Sequence, residues 1–174
     1  MKLKNLSNEE FLSKLNELKA CGQAINWVKE KSFDLKQTWN TCERYSWLYW
    51  LANEMGVDHK AIVSSACQNV RLVMKFLKKG EKEPFKSIET VEKWCNGDTS
   101  ITTKILKDDA AYAIHAAYAV ACCAAADAAY DAAYVAAYAA FVADAAFASN
   151  AYAEKQKIKD QILINIRNLI EIED

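Results

Sequence analysis

The sequence predicts an all-α protein: a compact helical bundle with a central alanine-rich helix pair and an aromatic N-terminal helical segment. Three observations carry this. Four glycines and one proline in 174 residues leave few breaks, and most stand where a helix would turn. No stretch sustains strand alternation between turn signals. Residues 110–153 are dominated by alanine, the strongest helix former. An apolar fraction of 52% is ample for a core, so 1–174 reads as a single domain. Within it, 1–57 form the aromatic segment and 58–174 the bundle with the alanine-rich helices.

Taken in order, SNEEFLSKLNELKAC is the first helix. Ser7 and Glu10 form a capping box, whose side chains satisfy backbone donors that a helix start leaves free, and Gly22 is expected to stop the helix. RYSWLYWLANEM ends at Gly56, and Asp58 then caps the apolar-periodic run HKAIVSSACQNVRLVMKFLKK, with Gly80 as its stop. Pro84 suits the first turn of PFKSIETVEKWC, where its missing N–H has no helical partner to lose, and Asn96-Gly97 ends that helix. Asp98 or Thr99 is expected to cap ITTKILKDDAAYAIHAAYAV. The tail EKQKIKDQILINIRNLIEIED places Ile158, Ile162, Leu163, Ile166, Leu169 and Ile170 at helical spacing, which predicts an amphipathic helix docked on the core.

The alanine-rich tract would run roughly 65 Å as one straight helix, too long for a compact domain. A break is expected in ACCAAAD, with Asp127 capping a second helix and Asp131 one turn in. Tyr130, Tyr134, Tyr138, Phe141 and Tyr152 then share an arc of about 80°, while Ala129, Ala132, Ala133, Ala136, Ala140 and Ala143 lie opposite. The alanine side lets another helix approach closely. A buried tyrosine needs a partner for its hydroxyl, so the stripe also reads as a ligand or partner surface. Asp127, Asp131 and Asp144 break the run too often for a membrane span. The regularly spaced threonines of an ice-binding rod are missing, and a flexible linker is at odds with alanine's helix propensity.

With 22 basic and 23 acidic residues the net charge is −1, which favours neither a basic nucleic-acid binder nor a polyanionic mimic. No nucleic acid or membrane is expected among the partners. Cys21, Cys42, Cys67, Cys95, Cys122 and Cys123 contain no C-x-x-C pair, and His59 and His115 stand apart from any cysteine cluster, so no metal or cofactor is expected. The start MKLKNLSNEEFLSKL is polar and amphipathic rather than a secretory leader, and with reduced, buried cysteines it predicts a cytoplasmic protein.

P-loop, Rossmann-glycine, H-E-x-x-H and G-x-S-x-G motifs are all missing. His115 and Cys122 share a helical face but lie close to two turns apart, too far for a direct base–nucleophile hydrogen bond. Asp127 and Asp131 share a face, whereas Asp144 points about 100° or more away, a poor metal set. An enzyme is not the expectation.

Binding candidates are easier to find. Trp39, Trp47 and Trp50, with Arg44 at the start of the same helix as the last two, read as a nucleobase-stacking pocket with an arginine for phosphate. The simpler reading is an aromatic mini-core seating the N-terminal helices on the alanine-rich pair. Arg71, inside an apolar helix, is a second anion-binding candidate or a residue at a wet helix edge. His115 is a core histidine or a ligand group. Tyr130, Asp131, Tyr134 and Tyr138 complete the candidates on the alanine-rich tract.

The order of an aromatic segment (CGQAINWVKEKSFDLKQTWNTCERYSWLYWLANEMG), a long helix with CQNVRLVMKFLKKGEKEPFKSIETVEKWCNGD, and AAYAIHAAYAV resembles alanine-rich all-α proteins encoded by phages and prophages. From about residue 60 onward the chain is also similar to a family of immunity proteins found beside polymorphic toxins. PFKSIETVEKWCNGD resembles that family's proline-led helix ending in tryptophan and a glycine turn, and AAYAIHAAYA resembles its Ala-Ala-His-Ala-Ala stretch, at His115. Tyrosines and aspartates stand here where the family carries more arginine and histidine. The resemblance implies neutralisation by binding, with no catalytic residues to carry over. The expected function is therefore that of a non-catalytic binding protein, encoded by a phage or mobile element, that neutralises a toxin or bacterial defence effector. A sponge that sequesters a nucleotide immune signal is the first alternative, and a small enzyme acting on such a nucleotide the second. A homo-oligomer is compatible with each.

Overall fold

Several helix boundaries follow caps that the local sequence supplies. The structure, a computed structural model, describes residues 1–74, 83–102, 104–106 and 152–174. Among these it forms seven helices: α1 (Asn8–Glu17), α2 (Gly22–Lys31), α3 (Leu35–Thr41), α4 (Tyr45–Glu54), α5 (His59–Met74), α6 (Glu83–Cys95) and α7 (Tyr152–Arg167). Two three-residue strands, β1 (Lys2–Lys4) and β2 (Glu171–Glu173), complete the set. The fold is mostly helical, as the sequence predicts.

Ser7 accepts from the backbone N–H of Glu10, and the Glu10 carboxylate accepts from the backbone N–H of Ser7 at 2.9 Å, the reciprocal capping box at the start of α1. A second box opens α3, where Asp34 accepts from Gln37 N and Gln37 answers on Asp34 N. Asp58 Oδ2 accepts from Ala61 N at 3.1 Å, capping α5. Gly56 (φ +83°) and Gly97 (φ +90°) adopt the left-handed conformation that ends α4 and α6.

Two expected punctuation marks are corrected. The turn after α1 is made by Lys19, at φ +57°, with Ala20 N donating back to Leu15 O; Gly22 begins α2 instead of stopping α1. Asp98 holds Ser100 through its N–H and hydroxyl, and it is Thr102 that accepts from Ile105 N where helix resumes at 104–106. A short polar side chain three residues from a free N–H wins the capping role.

The strands were not foreseen. β1 pairs with β2 in parallel, Leu3 opposite Ile172, with Lys2 on the outside bridging Glu173 at 2.7 Å. Three residues are too few to show alternation, and the partner lies some 170 positions away.

One hydrophobic cluster joins both halves of the chain, from Phe11 and Leu35 to Ile62, Ile88 and Ile166. Helix α7 packs against α4 and α5, and all six of the tail's apolar residues named above are buried. The expected helix break in ACCAAAD, the Gly80 stop and the alanine-rich pair lie outside the described residues.

Candidate functional site

The α3–α4 joint gathers partly exposed aromatic rings beside an exposed arginine. α4 begins without a side-chain cap: Arg44 stands at the N-cap position with extended backbone, so its side chain is free to lie back along the first turn. It does so, placing its guanidinium 4.1 Å from the centroid of the Trp47 ring. Helix α2 brings Trp27 alongside, its ring 6.0 Å from Trp47 at 64° and 5.5 Å from Phe33 at 77°, both edge-to-face arrangements. Between them opens a cleft of about 310 Å³ lined by Trp27, Thr41, Cys42, Glu43, Arg44 and Trp47.

The joint is held from behind by α7. Arg167 donates through Nε to Trp39 O (3.2 Å) and through Nη2 to Cys42 O (3.1 Å), satisfying carbonyls that the end of α3 leaves free. Trp39 answers by donating its indole N–H to Arg167 O at 3.1 Å. These three bonds fix the floor on which Arg44 and Trp47 stand.

Arg44 makes one long hydrogen bond, 3.4 Å to Gln23 Oε1, and among the described residues no carboxylate pairs with it. Arg44 is exposed, and most of its five donors have no partner among the described residues. Glu43 beside it is also exposed and gives the cleft an acidic rim. Cys42 is buried, and that burial pushes its thiol pKa up; its bond to the Arg44 carbonyl and the charges of Arg167 and Arg44 oppose this only in part. A thiol in that state is a poor nucleophile. Beneath the tryptophans lies an apolar cavity of about 30 Å³, lined in part by Trp50 and Thr38. The Thr38 hydroxyl is the one buried side-chain polar atom among the described residues without a hydrogen-bond partner.

Several expectations change here. Trp39 is corrected: at 1% exposure it is a core residue bonded to Arg167, not a wall of a stacking pocket. Arg71 is corrected as an anion site, because its Nε and Nη2 already grip Glu92 at 2.8 and 2.6 Å. Trp47 is half-buried and lines the cleft, whereas Trp50 is corrected: also half-buried, it lines the small apolar cavity and not the cleft. His115, Tyr130, Asp131, Tyr134 and Tyr138 lie outside the described residues. Trp27 and Arg167 were missed. Trp27 follows Ala24 at helical spacing and precedes Val28, so its apolar face was readable but its neighbour was not. Arg167 had no local signal at all.

Among the described residues no group of three His, Cys, Asp or Glu side chains is placed to hold a metal, and no helix is long and apolar enough to cross a membrane. No protein-family model matches the chain, and no curated protein or solved structure matches it either.

Proposed function

We propose that this chain is a non-catalytic binding protein that neutralises a toxin or bacterial defence effector by holding it at the Trp27–Trp47–Arg44 cleft. One observation carries the reading: a half-exposed tryptophan pair flanked by an arginine whose donors lack an acidic partner in the described chain. Tryptophan and arginine dominate interface hot spots, because each joins a large desolvated surface to directed hydrogen bonds. The raised thiol of Cys42 supports holding over turnover, since the cleft's own cysteine is in its inert form. The resemblance of 84–98 and 110–119 to immunity proteins points the same way, and we extend the reading to a chain encoded by a phage or mobile element.

Sequestration of a nucleotide immune signal is the second reading. The cleft's volume falls at the low end of small-molecule pockets, about 300–1,000 Å³, and Arg44 suits a phosphate. Arg44 already covers one face of Trp47, however, so a base would have to stack on Trp27 or displace the guanidinium.

Two incubations separate the readings. Tagged chain is drawn from bacterial lysate beside its Trp47→Ala and Arg44→Ala variants. The first reading expects a protein that copurifies with the parent and is lost from both variants at unchanged fold. Purified chain is also mixed with cyclic and ADP-ribose-derived nucleotides, then heated. Depletion with intact ligand recovered on heating would replace the first reading by the second, and a new product would make the chain an enzyme.

A further inference from the structure

The chain has three arginines, and two of them use the same edge of the guanidinium inside the fold. Arg71 grips the Glu92 carboxylate through Nε and Nη2, at 2.8 and 2.6 Å. Arg167 donates through Nε and Nη2 to the carbonyls of Trp39 and Cys42, at 3.2 and 3.1 Å. Arg44 does neither. Its one hydrogen bond, 3.4 Å to Gln23 Oε1, leaves from Nη1, so its Nε–Nη2 edge has no acceptor among the described residues. That edge is a planar fork of two parallel N–H donors, spaced to meet both oxygens of a carboxylate.

Two contacts hold the unpaired fork in place: the Trp47 ring, 4.1 Å from the guanidinium, and Gln23 at Nη1. A side chain fixed in advance loses less rotamer freedom when a ligand arrives. Among the described residues lining the cleft, Arg44 is the only cation and Glu43 the only anion. Other donors there are already engaged. Thr41 donates its hydroxyl to Gln37 O at 2.7 Å, and the Cys42 thiol meets Arg44 O at 3.9 Å. A phosphate monoester brings about −1.5 to −2 charges and three strong acceptor oxygens, more than one fork can satisfy beside Glu43. A carboxylate brings one charge on two coplanar oxygens, which a single fork does satisfy. Glu92 on Arg71 shows that match within this chain.

We propose that the Arg44 fork takes a carboxylate: the partner presents an aspartate or glutamate side chain whose two oxygens accept from Nε and Nη2. The proposal rests on reading the cleft as the place where a protein partner is held. The partner's contact is then an acidic segment, and the methylene stem of its acidic residue lies against Trp27. Trp27 is the other aromatic wall of the cleft and is only half-buried, whereas Arg44 already covers one face of Trp47.

The test follows the arginine Nε–H signals of the isotope-labelled full-length chain by NMR at fixed ionic strength. The probes are the α-amide of N-acetylglutamate, its glutamine counterpart and inorganic phosphate. The glutamate probe should shift the Arg44 signal saturably, while the Arg71 and Arg167 signals, whose forks are engaged, stay in place. The glutamine probe should bind about tenfold more weakly, the loss expected when a hydrogen bond to a charged group becomes a neutral one. Arg44→Gln should abolish the response; if that variant fails to fold, the Arg71 signal of the parent chain is the control. An Arg44 signal that ignores the glutamate probe, that responds equally to both amides, or that binds phosphate more tightly overturns the proposal. Copurification separates that failure from failure of the cleft itself, and loss of the partner from both Arg44→Gln and Trp47→Ala is the expected result. A partner that survives Arg44→Gln but is lost from Trp47→Ala overturns the acidic contact and leaves the cleft as the binding site. A partner kept by both variants overturns both.

Discussion

Helix α4 has two faces that obey opposite rules. Inward, Tyr49 is fully buried, and its hydroxyl shares a hydrogen bond with Ser65 (2.9 Å) while accepting from Asn69 Nδ2 (3.0 Å). Asn165 of α7 closes the network, donating to Asn69 Oδ1 and accepting from Ser65 through its carbonyl. Outward, two residues away, Trp47 is half-exposed beneath an arginine with one long hydrogen bond. The inner polar groups find their partners within the chain, as burial demands. Most of the outer donors have none among the described residues, and the exposure of Arg44 makes that tolerable. The difference separates side chains that hold the bundle together from side chains that solvent can reach.

The comparison can be broken from its inner side first. Tyr49→Ala removes a fully buried aromatic and should cost about 3–5 kcal/mol of stability, read from denaturant unfolding. A loss below about 1 kcal/mol would mean that the inner face is not core. Asn69→Leu strands the donor of Asn165 and a lone pair of Tyr49, and should cost about 1–3 kcal/mol. Combined with Tyr49→Phe in a double-mutant cycle, it should show clear coupling; strict additivity would dissolve the network into separate contacts.

A smaller effect sharpens the contrast between arginines. Arg71→Gln breaks the bidentate bridge to Glu92, but both side chains are more than a third or close to a third exposed, at 39% and 33%. Solvent screening should limit the loss to about 0.5 kcal/mol. Arg44→Gln should cost less still, since no ion pair is broken among the described residues, and a larger loss there would reveal a structural role for the cation over Trp47.

What the sequence made legible was local. The Ser7 and Asp58 caps, the Gly56 and Gly97 turns and the spacing of Ile158, Ile162 and Ile166 each depend on residues within a turn or two of one another. The parallel strand pair, the Arg167 clamp and the meeting of Trp27 with Trp47 depend on chain segments brought together only by folding. Trp39 shows the limit most clearly. Its helix is seven residues long, too short for its apolar positions to reveal which way it faces, and only the carbonyl of Arg167 explains why its indole points inward. The candidate site was thus half visible: Arg44 and Trp47 by composition, Trp27 and the supporting arginine not.

The central claim is that the outer face of α4 binds while the inner face supports, and one pair of variants tests it most directly. Trp47→Ala and Tyr49→Phe are purified side by side, with unfolding free energy and retention of the copurifying partner measured on the same samples. The account predicts that Trp47→Ala loses the partner while keeping most of its stability, and that Tyr49→Phe loses about 1–3 kcal/mol yet keeps the partner. Partner retained by Trp47→Ala, with stability lost as heavily as at Tyr49, would contradict it.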